Sequence, residues 1–183
     1  MNNQVGCTVQ PPAVAGIFYP GEPDKLRNDV DQFLNLARSK AVTKVPAGQK
    51  AKALIAPHAA YLYSGAIAAA AYTQIQAQAK EIRRVVIFAP AHRFAFRGLA
   101  TASADCFHTP LGGIVVDQAG RQQLLNDVSS VHVLDEAFHQ EHALEVQLPF
   151  LQQILGDFIL LPLLVGDTSS LEVEQVMKQC WGG

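Results

Sequence analysis

Two histidines stand in matching surroundings. AKALIAP leads directly into His58, and RRVVIFAP leads into Ala91 and His92. Proline has no N–H with which to extend a ladder, so each histidine is expected just past the end of an apolar strand. In open α/β sheets, ligands gather outside the carboxyl ends of the strands. Alone, either histidine reads as a loop or cap residue; the repeated Ala-Pro context makes them a pair. Two neutral imidazoles plus an anionic ligand form an open site suited to iron, copper or zinc. Sharing one ion at metal–nitrogen distances of about 2.0–2.1 Å would bring their ring nitrogens to about 3–4 Å.

A third candidate lies in FHQEHALEVQLPF, where His142 follows Glu141. The pattern places His142 at the start of a helix, whose N-terminus disfavours imidazolium and keeps the ring able to accept a proton. His142 is thus expected as an acid/base or as a neighbour of the metal ligands, with Glu141 orienting it or capping the helix. The competing reading is a capping or surface histidine. His139 and His142 lack the H-E-x-x-H zinc-protease spacing, and His108 and His132 have no context beyond a structural one. The phosphate-cradling patterns G-x-G-x-x-G and G-x-x-x-x-G-K are absent, as is the G-x-S-x-G nucleophile elbow.

The elements that must position these residues follow from periodicity. Residues 23–40 place Leu26, Val30, Phe33, Leu34 and Ala37 on one helical face, with Pro23 in the first turn. VTKVPAGQK reads as a loop and AKALIAP as a short strand. Ser64 is expected to cap an alanine-rich helix over residues 65–80. RRVVIFAP, LATAS, GIVVD, VHVL and DFILLPLLVG read as strands, with ADCFHTPLGG as a loop. Helices are expected over QAGRQQLLND, over EHALEVQLPFLQQIL with a kink at Pro149, and over SLEVEQVMKQC. Helices alternating with continuous apolar strands argue for a layered α/β/α fold around a largely parallel or mixed sheet. Strand order is not readable from this pattern.

The chain has 183 residues, 49% of them hydrophobic and 16% charged, with a net charge of −2. That is a globular composition of single-domain size. Without a basic cluster beyond Arg83-Arg84, a nucleic-acid partner is not expected. No apolar run approaches the ~20 residues of a membrane span, and the polar start MNNQVGCTVQ is not a signal peptide. Three cysteines without a pairing pattern fit reduced thiols. The expectation is a cytoplasmic protein with a disordered tail over residues 1–10 and one domain over residues 11–183.

Five separated blocks then carry a resemblance. PPAVAGIFYPGEPDKLRNDVDQFL, ALIAPHAAYLYSGAIAAAAY, RRVVIFAPAHRFAFRGLA, TPLGGIVVD and EHALEVQLPFLQQILGDFILLPLLVGD resemble, in order, the Memo family, also called the B protein of the AmmeMemoRadiSam system. The resemblance runs from about Pro11 to Gly183. It implies a fold similar to class III extradiol dioxygenases, which use non-haem iron(II), and a link to copper- or iron-dependent redox chemistry. By the same resemblance His58 and His92 fall on metal-site histidines, Phe18 and Tyr63 on aromatic positions of the pocket, and Glu141 and His142 on an E-H motif. Ala60 departs from the family pattern, which has glycine there. The resemblance also implies a C-terminal part beyond CWGG, with an S-D-x-S-H type motif and a cysteine ligand that is not Cys180.

These readings lead to two expectations for function. One is a metal-dependent oxygenase or redox protein with iron(II) or copper at His58 and His92. The other is a non-catalytic module with a vestigial metal site that binds a small aromatic ligand or a peptide. This chain alone is expected to be catalytically inactive and to hold metal weakly. Its unpaired sheet edge is expected to favour self-association.

Overall fold

ILLPLLV forms the strand around which the sheet is organised, although it carries a proline. A computed structural model of the protein describes residues 8–40 and 49–181. Its strands are β1 (Val9–Gln10), β2 (Arg84–Pro90), β3 (Leu99–Thr101), β4 (Cys106–Thr109), β5 (Gly112–Val116), β6 (Val131–Val133) and β7 (Ile159–Val165). Its α-helices are α1 (Pro23–Ser39), α2 (Tyr61–Tyr72), α3 (Gln118–Asp127), α4 (Leu148–Leu155) and α5 (Ser170–Cys180). β2 pairs in parallel with β7 along its whole length, from Arg84 opposite Ile159 to Pro90 opposite Val165. The other edge of β7 is shared: β5 runs parallel to it at Ile159–Leu160, and β3 runs antiparallel at Leu164–Val165. β6 continues from β3, and β4 and β1 continue from β5.

This division explains Pro162. The carbonyl of Leu160 accepts from Asp117 N–H at 2.8 Å, so that residue faces β5. Strand groups alternate sides, and Pro162 therefore faces the same edge, between the last β5 partner and the first β3 partner. Its missing N–H costs no ladder bond there.

Alternation along β7 also separates two cores. Leu160 and Leu164 point into the larger one, with residues of α1, α2 and α4, while Leu161 and Leu163 join Leu124 of α3 and Val176 of α5. A sheet buried on both faces requires such a continuous apolar run. The expected layered α/β/α class with a mixed sheet is the fold observed. α1 lies against α2 at Gly65, where a Cβ would come within 2.7 Å of the Phe33 ring. Among the described residues no helix is long and apolar enough to cross a membrane.

Several local expectations are corrected. AKALIAP forms no strand: residues 49–60 have no ladder partner, and Ile55 is 99% exposed. An apolar run becomes a strand only where a sheet edge receives it. β2 pairs with β7 alone among the described strands, so its outer edge is open. Ser64 does not cap α2. The helix begins four residues earlier, at Tyr61, with Ala60 as N-cap, and Ser64 Oγ donates to the Ala59 carbonyl at 2.9 Å. The expected loop over residues 104–113 contains β4, which forms an antiparallel hairpin with β5. Pro149 produces no mid-helix kink, because α4 starts at Leu148 and places the proline in its first turn, where an N–H is not needed. Of the expected tail, residues 1–7 lie outside the described residues, and Val9–Gln10 pairs with Cys106–Phe107. Most of the expected loop VTKVPAGQK, residues 42–48, also lies outside them.

Candidate metal centre

The end of β2 delivers His92. Ala91 N–H donates to the Val165 carbonyl at 3.1 Å, which extends the β2–β7 pairing one residue beyond Pro90 and leaves His92 just past the sheet. His58 arrives differently, on irregular chain three residues before α2 begins at Tyr61. The Gln147 side-chain amide holds that chain by donating to the Pro57 carbonyl at 3.1 Å. Ala60 adopts φ −58° and ψ 148°, a conformation that alanine takes without strain. His142 comes from the connection between β6 and α4. Gln140, two residues before it, has φ 68°, the one positive φ at a non-glycine among the described residues. Side chains rarely take this conformation, and it commonly marks functional backbone.

The three histidines converge. One ring nitrogen from each of His58, His92 and His142 lies within 4.8 Å of the others. Ring centroids are separated by 5.2 Å for His58 and His92, 4.7 Å for His92 and His142, and 5.9 Å for His58 and His142. His58 and His92 are therefore neighbours, within 4.8 Å at their ligand nitrogens where an ion-bound pair is expected at about 3–4 Å, and His142 is gathered with them. His142 precedes the 3-10 turn Glu145–Gln147 and α4, and its carbonyl accepts from Val146 N–H at 3.0 Å, so the expected helix is a helical turn there and becomes α-helix only at Leu148.

Glu141 caps backbone N–H groups at the start of the His142 segment, one of its two expected roles, and in place of the other it reaches His92. Its Oε1 lies 3.0 Å from His92 Nδ1, and its Oε2 accepts from His92 N–H at 2.5 Å. Oε1 also accepts from the backbone N–H groups of His142 at 2.8 Å and Ala143 at 2.9 Å. The carboxylate thus orients the His92 ring and ties His92 to the His142 segment. It does not orient the His142 ring, whose Nδ1 stands 3.3 Å away outside hydrogen-bond geometry and is buried without a hydrogen-bond partner. Burial alone would raise the Glu141 carboxyl, but bonds from the His92 ring, His92 N–H and Ala143 N–H hold it below its ordinary value. The His142 imidazole is held below its ordinary value, first by burial. Attraction from Glu141 opposes this, and His92, His58 and Arg93 add to it.

This arrangement fits a metal ion. With Nδ1 of His92 facing Glu141, its Nε2 is left for coordination, and the ligand tautomer is set in the manner usual for metal-bound histidine. Burial lowers the His142 pKa and so favours the neutral form that coordinates a metal.

Phe18 lies with its ring 4.4 Å from that of His142, at 34°, as the expected aromatic neighbour. Tyr63 is not brought into the group: it is 80% exposed on the first turn of α2 and makes no ring contact with the histidines. His108, His132 and His139 are exposed and outside the cluster. Glu145 and Tyr19 have no assigned role in the sequence reading. Glu145 is 7% exposed and accepts from Ala13 N–H at 2.6 Å, Val14 N–H at 3.0 Å and Tyr19 hydroxyl at 2.5 Å. The available signal was a carboxylate inside the apolar run ALEVQLPF, since an unpaired charge is rarely buried without specific donors.

The family model described as Memo-like protein matches residues 10–180. A MEMO1 family protein of Ignicoccus hospitalis is 38% identical over 162 residues, 86% of this chain and 56% of the relative. One from Pyrobaculum arsenaticum is 34% identical over 158 residues, again 86% of this chain and 56% of the relative. One from Thermotoga neapolitana is 31% identical over 173 residues, 92% of this chain and 62% of the relative. The chain spans little more than half the length of these curated relatives.

Proposed function

The chain belongs to the Memo-like protein family, and from that premise we propose that His58, His92 and His142 form a metal site serving oxygenase or redox chemistry, with iron(II) or copper as the ion. The carrying observation is the convergence of three imidazole nitrogens within 4.8 Å. Three imidazole donors on three separate segments match the nitrogen preference of iron and copper. A bound ion of this kind supplies one-electron and dioxygen chemistry that no side chain provides.

The protein's own groups do the rest. Glu141 fixes the His92 ring, and its negative charge stands behind the neutral ligands. Burial lowers the His142 pKa, which favours the neutral imidazole that a metal binds. Phe18 shields one side of His142 from water and offers an aromatic surface to a small aromatic or peptide substrate.

The test is anaerobic titration of the 183-residue chain with iron(II) and with copper, followed by oxygen uptake with a panel of catechols. One equivalent is expected to bind, with His58→Ala, His92→Ala and His142→Ala each removing binding. Stoichiometric binding that survives all three substitutions would overturn the site, as would no binding by the unaltered chain.

A further inference from the structure

We infer that Glu145 is a positioning residue of the histidine site, acting through Phe18; this rests on the proposed reading of that site. Glu145 lies three residues after His142, and its buried carboxylate pairs with no cationic side chain among the described residues. Its three donors all come from residues 13–19. Oε2 takes the Ala13 N–H, while Oε1 takes the Val14 N–H and the Tyr19 hydroxyl. A buried carboxylate without a counter-ion requires such donors, and here they grip both ends of one turn.

The turn is itself closed. Ile17 N–H and Phe18 N–H donate to the Val14 carbonyl at 3.1 Å and 2.9 Å, and Gly16 N–H donates to the Tyr19 carbonyl at 2.7 Å. Gly16 has φ +79°, which a glycine accepts without a side-chain penalty. Phe18 sits near the crest of this turn. Its carbonyl receives Tyr61 N–H at 2.8 Å, at the start of the helix that follows His58. Its ring meets His142 at 4.4 Å.

One short segment therefore presents a ligand and also holds the loop that covers it. Glu141 fixes His92, His142 enters the cluster, and Glu145 gathers the turn bearing Phe18. Since His142 and Glu145 share one 3-10 and loop framework, the distance from Phe18 to His142 is set locally and does not depend on the distant sheet.

The experiment reads the His142 ring directly. In metal-free, isotope-labelled protein, the His142 ring protons carry a ring-current shift from Phe18, identified by its loss in Phe18→Leu. Glu145→Gln keeps the size of the side chain but offers one acceptor oxygen where two are needed. It is expected to reduce that ring-current shift and to weaken cobalt(II) binding by about tenfold, the lower end of the range for losing a supporting contact. In the Glu145→Gln/Phe18→Leu double variant the affinity losses should be non-additive, because both act through one ring. Tyr19→Phe removes a single donor and is expected to change both readings in the same direction by less. This variant decides the matter if Glu145→Gln does not fold. An unchanged His142 shift in the folded variants, or additive losses in the double variant, would overturn the inference. If the unaltered chain binds no cobalt(II), the proposed metal site fails, while the His142 shift still decides the role of Glu145.

Discussion

Glu141 bears most of the cluster's geometry, since both of its oxygens are engaged by the segments carrying His92 and His142. Glu141→Gln retains shape but cannot accept at both oxygens. It is expected to release the His92 ring and lower metal affinity by about 10–100-fold, as measured by titration against a competing chelator. Unchanged affinity would show that His92 is oriented by its backbone alone. At this scale the sequence was informative where chemistry repeats a pattern: Ala-Pro before each histidine marked His58 and His92. It was silent where partners are distant in sequence. Nothing near Glu141 indicates that its carboxylate meets residue 92 and leaves the adjacent His142 ring unbonded. Nor does any local pattern separate Phe18, which reaches the cluster, from Tyr63, which points to solvent.

Among the elements, those with strong period and punctuation were legible. α3 and α5 form over the stretches that periodicity marks, and α5 begins with a full capping box between Ser169 and Glu172. AKALIAP failed as a strand because strand formation is decided by an edge that receives it, which composition does not reveal. β4 was missed because four residues, CFHT, carry too little alternation, and pairing with β5 makes the strand. The short β1 depends on a carboxylate. Asp105 Oδ2 accepts from Thr8 N–H at 3.0 Å and from its hydroxyl at 2.8 Å, and these bonds hold the Asp105 carboxyl below its ordinary value of 3.8. A lowered folded value means the contribution is present above pH 3.8 and is lost as pH falls through the folded value. Protection of the Gln10 and Cys106 amides, taken relative to the intrinsic exchange rate at each pH, is therefore expected to fall on acidification through that window before that of the central strands. Asp105→Asn should remove this pH dependence; an unchanged profile would assign β1 docking to the ladder alone.

For the molecule as a whole, the class was readable because two-sided burial leaves continuous apolar runs, whereas strand order was not. The shared edge of β7 depends on where β5 stops and β3 starts, a relation between segments far apart in sequence. The structure also leaves the outer edge of β2 open and exposes Ile55, Leu62 and Ile67 at 99%, 84% and 64%. Open edges and apolar surfaces of this kind promote association. The 183-residue chain is expected to show a sedimentation coefficient that rises with concentration. Ala91 N–H faces β7, so by alternation the Val86 N–H faces outward, and Val86→Pro should block edge pairing without removing a β2–β7 bond. Loss of association in Val86→Pro assigns it to the edge, and loss in Ile67→Lys assigns it to the helix face. A monomer at every concentration would refute both.

The central place of β7 has a consequence for biosynthesis. β2 is complete at Pro90, yet the strand that satisfies its inner edge ends only at Val165. At about 5–20 residues per second, the ribosome needs roughly 4–15 s to cover that interval. Throughout it, Val85–Ala89 is an apolar ribbon with both edges unpaired, and the segments bearing the three histidines emerge before the scaffold that gathers them. The newborn protein therefore passes through a long adhesive stage. Its yield in the cell is expected to depend on holding chaperones and on translation speed between codons 90 and 165 more than on the stability of the finished sheet.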